Sequence, residues 1–211
     1  MNRCILIIVI SLQSLLMQAQ SRPMTDAASN GFKNSIRKAA ASTQTISSEF
    51  KQEKEMNILS EKIVSRGIFY FKKERQLRWE YKAPYAYTIV IRNDQIFIRD
   101  EGKVTSFNTQ SNKVFSEINR IIIGSIRGTL LDDEKNFSST CFETPDAYLV
   151  RLKPLASSLK QSLSEIAIYF NRKDFSVDQL EMTESTGDVT KINFLNKKIN
   201  QPVADEKFIL Q

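Results

Sequence analysis

The sequence predicts a mainly β, single-domain protein: about ten antiparallel strands in a sheet that curves strongly or closes, an N-terminal helix, and a helical insertion at mid-chain. Three observations carry this reading. Beyond residue 45 the chain alternates apolar and polar residues with a period of two, the mark of a strand. The strand-like runs are joined by short turns, as antiparallel neighbours allow. Several runs are apolar on both faces, whereas a sheet with one wet face would alternate cleanly. No repeat, low-complexity tract or linker interrupts the chain.

Residues 1–20 read as a secretory signal peptide. Arg3 is a short basic n-region, Cys4 to Leu16 an apolar core, and Met17-Gln18-Ala19 a small-residue end, with cleavage expected near Ala19/Gln20. No Cys follows for lipid attachment, and no later segment nears the ~20 apolar residues of a membrane helix. Residues 21–211 then form one exported domain, and Arg3 is the only charge lost from a net +6. The remaining basic residues are interleaved with acidic ones, so no nucleic-acid partner is expected. Cys141 is left without an internal partner, and its strand-like setting between Thr140 and Phe142 predicts a buried thiol.

Asp26 to Ala41 reads as a helix, with Asp26 as N-cap and Phe32, Ile36 and Ala39 or Ala40 on one face. The next segment places Ile46, Ser48, Phe50 and Gln52 together on one side of a strand. Further strands are Ile63 to Lys72, Gln76 to Lys82, Tyr85 to Arg92, Gln95 to Asp100 and Lys103 to Phe107. Lys73-Glu74-Arg75, Ala83-Pro84, Asn93-Asp94 and Glu101-Gly102 connect them. Between Ser111 and Leu131 the period changes: Ile118, Ile121, Ile122 and Ile126 form a helical stripe, and Gly124 and Gly128 would divide it into two short helices. Strands return at Phe137 to Phe142, Ala147 to Lys153, Glu165 to Asn171, Ser176 to Thr183 and Thr190 to Asn196.

Candidate chemistry is sparse. The chain has no His, which removes Ser–His and Cys–His pairs and the usual zinc sites. Ser157-Ser158-Leu159-Lys160 matches S-x-x-K, but no K-T-G or S-D-N accompanies it, so it reads as a flexible loop. Asp132-Asp133-Glu134 lacks calcium-loop spacing, and the six glycines form no phosphate cradle. No catalytic residue, metal or cofactor is expected, and a binder or carrier is favoured over an enzyme. The aromatic strands from Ser48 to Pro84 put Phe69 with Phe71, and Leu77 with Trp79 and Tyr81, on shared faces. Ile89 and Ile91 alternate with Val90, Ile96 and Ile98 with Phe97, and Ile166 and Ile168 with Ala167. Periodicity alone leaves two readings open: a conventional sandwich core, or the wall of a cavity.

Phe50-Lys51-Gln52, then Gly67 to Phe71, then Leu77-Arg78-Trp79-Glu80-Tyr81 before Pro84, resemble the LolA family of periplasmic carriers of outer-membrane lipoproteins. Asn93 to Ile98 and the D-x-x-F at Asp205 to Phe208 extend the resemblance across residues 21–211. It implies an incomplete, open antiparallel β-barrel with an α-helical lid, and an apolar cavity for acyl chains between them. Cavity residues would be Phe50, Phe69, Phe71, Leu77, Trp79, Tyr81, Ile89 and Ile91 on the wall, and Ile118, Ile121, Ile122 and Ile126 on the lid. Lys73 or Arg75 would stand in for a lid-closing arginine of the family, since the family's Arg-Pro pair is missing from this turn. The short ending after the D-x-x-F points to a divergent, short form of the family, and the D-x-x-F itself is expected to be a closing strand. The implied partners are a lipoprotein or other acylated lipid, an ATP-driven ABC-type extractor in the inner membrane and an acceptor at the outer membrane, served by a monomer. An envelope lipid sensor of the same fold is the alternative, and a serine hydrolase using Ser157 and Lys160 a more distant one.

Overall fold

The computed structural model describes residues 21–59, 61–73, 76–111 and 113–210. The signal-peptide segment and Arg75 lie outside them. The chain begins with β1 (Arg22–Pro23) and α1 (Asp26–Ser42). The cap of α1 is Thr25 rather than Asp26: the Thr25 hydroxyl accepts from the Ala28 N–H, and Asp26 sits in the first turn, where a carboxylate favours the helix dipole. A meander follows: β2 (Thr45–Glu55), β3 (Ile63–Lys72), β4 (Gln76–Ala83), β5 (Tyr87–Arg92), β6 (Gln95–Asp100) and β7 (Lys103–Asn108). Asn93 and Asp94 have φ of 50° and 57°, and Glu101 and Gly102 45° and 79°. Two consecutive positive φ values are what tight, right-twisted hairpins need.

The helical insertion is one continuous helix, α2 (Lys113–Arg127). Gly124 does not break it. A Cβ there would lie 2.8 Å from the Leu130 side chain, so this glycine admits the turn that follows the helix. Gly128, at φ +68°, ends α2 and starts a 3-10 turn over Thr129–Asp132. The second meander is β8 (Phe137–Glu143), β9 (Ala147–Pro154), β10 (Leu163–Asn171), β11 (Val177–Glu184) and β12 (Val189–Ile199). The expected loop at Ser157–Lys160 is instead a single helical turn, α3, pinned by the buried Leu159.

All twelve strands belong to one antiparallel sheet, ordered β1-β8-β9-β10-β11-β12-β2-β3-β4-β5-β6-β7. Pairing of β12 with β2 joins the two meanders. The sheet is not closed, and it matches the open-barrel expectation. A flat sheet this wide would span roughly 50 Å at the usual strand spacing. Yet Phe137 and Cys141 of β8 share one apolar cluster with Ile96 of β6, so the sheet curls around a common interior. Irregular register at Arg66/Gly67 and at Leu195/Lys198 supplies local bends. At Gly67 the partner strand comes so near that a Cβ would lie 1.9 Å from the Glu80 carbonyl oxygen and 2.8 Å from the Phe50 ring. The connection carrying α2 leaves edge strand β7 and re-enters at β8, near the opposite edge, and its helix packs into the interior.

The convex face has its own cover. Tyr70, Arg78, Val90 and Phe97 are register partners on the side away from the interior. The D-x-x-F segment is a 3-10 turn, Asp205–Phe208, rather than a strand, and it packs across this row. Phe208 is buried, Arg78 Nη1 donates to the Lys207 carbonyl at 3.1 Å, and Lys207 Nζ stands 5.5 Å from the Tyr70 ring centroid. The second apolar face of β5, read from Val90, is therefore covered by the C-terminal segment and not by a helix. Cys141 is buried, as expected.

Two stability outcomes follow. Gly67→Ala should cost about 2 kcal/mol or more in denaturant unfolding, because main chain and not a flexible side chain occupies the space. Phe208→Ala should cost about 3 kcal/mol through the lost burial on the convex face; a change below about 0.5 kcal/mol would show that the turn is not part of the cooperative unit.

Candidate ligand cavity

Strand register builds the concave wall. Phe69 lies opposite Trp79 and Trp79 opposite Ile89, while Phe71 faces Leu77 and Leu77 faces Ile91 across their pairs. Phe50 is opposite Phe194 on one side and opposite Gly67 on the other. Removing the side chain at residue 67 lets the Phe50 ring tilt over β3 and meet Trp79 at 4.8 Å and Tyr81 at 5.0 Å between centroids. Phe69 contacts Trp79 at 4.9 Å and Phe194 at 5.3 Å, both edge-on, the favoured aromatic geometry. Phe50, Phe69, Phe71, Leu77 and Trp79 are buried, and Tyr81 and Ile89 are partly buried against the same cluster.

Two tyrosines lie at one end of this wall. Tyr81 donates its phenolic O–H to Gln52 Oε1 at 2.9 Å and stacks on Tyr87 at 4.2 Å. Burial drives the Tyr81 phenol far above its ordinary pKa, and burial also raises that of Tyr87. Both stay neutral at any physiological pH. The buried Trp79 indole N–H has no acceptor among the described residues.

The lid consists of two helices. Phe32 and Ile36 of α1 enter the core, with Phe32 in ring contact with Tyr148 at 4.7 Å, Phe170 at 5.8 Å and Phe175 at 6.3 Å. From α2 come Ile121, Ile122 and Ile123, all buried, and Ile126, partly buried. The buried Ser125 hydroxyl donates to the Ile121 carbonyl at 2.7 Å, so this hydroxyl is not stranded in the core. The side chain of Ile118 lies outside the described residues. Lys73 is exposed in the turn after β3, and its main-chain N–H donates to the Gln44 carbonyl at 2.7 Å.

An ion pair ties α1 to the turn after α2. Arg37 Nε donates to Asp132 Oδ2 at 3.1 Å, and Nη2 donates to Oδ1. The hydrogen bond from Arg37 holds the Asp132 carboxyl below its usual range and raises the guanidinium correspondingly. Both partners are nearly half exposed.

The interior is almost full. A cavity of about 30 Å³ remains between Ala39, Ala40 and Thr43 of α1, Ile126 of α2, and Ile46, Phe69, Val177 and Phe194 of the wall. Lys197 lines the same space and is held by Ser176, Asp178 and the Val177 carbonyl, the last at 3.0 Å. The structure thus brings Phe50, Phe69, Phe71, Leu77, Trp79, Tyr81, Ile89, Ile91, Ile122 and Ile126 into one apolar cluster, and Phe69 and Ile126 of these border the small cavity. Sequence reasoning missed Phe194 at the centre of the ring cluster, and the Phe32, Tyr148, Phe170 and Phe175 group beneath α1. The alternation Ile192, Phe194 in β12 was the available signal for the first; nothing local pairs Phe32 with Tyr148.

A family model described as outer membrane lipoprotein carrier protein LolA matches residues 41–211. No curated protein sequence matches the chain significantly. Among solved structures, the MucA/MucB complex of Pseudomonas aeruginosa is similar at a TM-score of 0.53 and 9% identity, over 87% of this chain and 61% of that one. An uncharacterized conserved protein from Thermus thermophilus aligns at a TM-score of 0.52 and 8% identity, over 86% and 92%. A LolA superfamily protein from Nitrosomonas europaea aligns at 0.45 and 9%, over 84% and 97%. At such identities the likeness to these structures is one of fold. The family match spans both meanders and α2 but starts at the end of α1, and on it the chain belongs to the LolA family.

Proposed function

We propose that the protein is an exported envelope carrier that takes the acyl chains of a lipoprotein or related lipid into the space under α1 and α2. It would collect them from an inner-membrane ATP-driven extractor and pass them to an outer-membrane acceptor. The observation that carries this reading is the way the apolar interior is filled. Among the described residues no main-chain hydrogen bond ties α1 or α2 to the sheet; apart from the side-chain bond from Lys33 Nζ to Ser139 Oγ at 2.9 Å, mainly isoleucine and phenylalanine side chains fill the concavity. Side-chain packing of this kind is exchangeable. An acyl chain that displaces Ile121, Ile122 and Ile126 substitutes one set of apolar contacts for another, whereas each methylene left in water would cost about 0.8 kcal/mol. The family model's description supports the acylated cargo. The reading makes and breaks no bond: Ser157 and Lys160 are exposed on α3 and have no assigned role. Export by a signal peptide at residues 1–20, periplasmic location and a monomeric state belong to the same proposal.

Ile126→Glu should lower the affinity for a fluorescent acyl probe by about a hundredfold, since a carboxylate would stand where the chain must pass. The residue is only partly buried, so circular-dichroism melting should move by no more than a few degrees. Native mass spectrometry of protein from its own periplasm should detect a lipid-sized adduct; ligand-free protein that also binds no acyl probe would defeat the carrier reading.

The Arg37–Asp132 pair gives a pH-dependent outcome. The folded-state Asp132 pKa is depressed, so its contribution is complete above the ordinary carboxylate value and disappears as pH falls through the lower, folded value. Solvent exposure limits that contribution to about 1 kcal/mol or less. Asp132→Asn should therefore speed acyl-probe uptake at neutral pH by up to about fivefold in stopped-flow fluorescence, and the difference from wild type should shrink as pH falls below the ordinary carboxylate range and through the folded-state value.

A further inference from the structure

The hairpin that joins β2 to β3 carries an apolar tip. Ile58 is 84% exposed, and Leu59 and Ile63 are 46% and 43% exposed near it. Residues 56–59 form a turn closed by the Leu59 N–H, which donates to the Met56 carbonyl at 2.9 Å. Turn chemistry favours Gly, Pro, Asn, Asp or Ser at the centre; Asn57 fits that rule and Ile58 does not. The turn is buttressed by the one between β11 and β12. The Asn57 N–H donates to Asp188 Oδ1 at 2.9 Å, and Asn57 Nδ2 donates to the Thr186 carbonyl at 2.6 Å. Gly187, at φ +89°, makes room for this contact, since a Cβ there would lie 2.7 Å from Asn57 Nδ2. Polar bonds thus hold the hairpin from one side and leave its aliphatic side chains in water. A surface already held in one form loses little freedom when it binds.

Size, composition and charge together select the partner. The three side chains expose roughly 300 Å², well short of the ~800 Å² that each partner gives to a stable protein interface. Residues 56–63 contain no aromatic residue and no arginine, the side chains that anchor such interfaces. A hydrocarbon layer, by contrast, needs no shaped counterpart and accepts a protruding tip. Residues 54–62 and 184–188 hold two lysines and four carboxylates, with Lys54 paired to Glu184 at 3.1 Å and Lys62 paired to Glu55. The local excess is acidic, so an anionic bilayer is not attracted, whereas the ammonium end of a zwitterionic head group can lie beside these carboxylates. Ile63 also shares the concave face of β3 with Phe69 and Phe71, so the row that starts at the tip runs on to the aromatic wall.

We propose that the β2–β3 tip docks the protein on a zwitterionic lipid bilayer, with Ile58 and Leu59 entering the boundary between head groups and acyl chains. This docking goes beyond the carrier reading and does not depend on what the interior holds. Titration of the full-length mature protein with phosphatidylcholine vesicles tests it. An environment-sensitive fluorophore on Ile58→Cys should brighten several-fold as vesicles are added, while the same label on Leu195→Cys, exposed on the convex face of β12, should not; Cys141 is buried away from the reagent. In vesicle co-sedimentation, the double variant Ile58→Asp with Leu59→Asp should lower the apparent vesicle affinity at least about tenfold. Its melting temperature, and its uptake of an acyl probe in vesicle-free buffer, should stay at the wild-type values, since both side chains already lie in water. Wild-type binding should persist in 0.5 M NaCl and gain nothing from added phosphatidylglycerol. Absence of vesicle binding, or binding that survives the double substitution, would overturn the proposal. So would binding that needs phosphatidylglycerol and is lost in salt, which would identify a charge-driven contact. A dimer in sedimentation velocity that the double variant dissociates would reassign the tip to a second copy of the chain. Vesicle docking by a protein that takes up no acyl probe would count against the carrier reading and leave the docking in place.

Discussion

Pairing of β12 with β2 is the contact on which the rest of the molecule depends. Each meander is local, built from hairpins that form between neighbours in sequence. Only the ladder that sets Phe194 against Phe50 and Ile199 against Ile46 makes one sheet of them. That ladder brings the aromatic wall of β2 to β4 beside β9 to β12, whose Phe194 joins its rings. It also fixes the distance that the β7–β8 connection must bridge. The position of α2 is thus a consequence of strand order as much as of its own isoleucine stripe.

The two faces of the sheet are covered by different means, and the difference has physical content. On the convex side, Phe208 is buried beside a hydrogen bond from the Arg78 guanidinium to the main chain, a geometry that tolerates little displacement. On the concave side, the helices rest on aliphatic side chains and the Phe32 ring, α1 donates one part-buried hydrogen bond from Lys33 to Ser139 of β8, and an exposed ion pair joins α1 to the turn after α2. The first arrangement fixes a surface. The second leaves a surface covered mainly by exchangeable side-chain packing.

Much of this was legible in the sequence because alternation and turn chemistry are local. The expected bounds of β3 and β6 coincide with the observed ones, and the Asn93-Asp94 and Glu101-Gly102 turns do what their residue types allow. Local signals failed where tertiary contact decided the outcome. Gly124 reads as a helix breaker, but a neighbouring Leu130 needs its missing side chain. Asp26 reads as a cap, but Thr25 one residue earlier has the extended backbone that a cap requires. Val90 announces that both faces of β5 are dry without revealing that the cover comes from residues 205–208. Of the cavity, the wall was readable from β-strand register, while the contribution of Phe32 was not, because its partners lie on strands far away in sequence.

The buried turn at Asp205–Phe208 also sets an order of events. The ladder between β2 and β12, and then the cover over Tyr70, Arg78 and Val90, need segments from near the two ends of the described chain. A chain emerging N-terminus first from the ribosome would therefore display both its aromatic strands and the outer row of β3 to β5 until nearly all of it had been made. Such long-range closure is slow and leaves apolar edges open to aggregation. A fold whose finished form buries a wall of aromatic rings is thereby, during its own folding, in need of shielding itself.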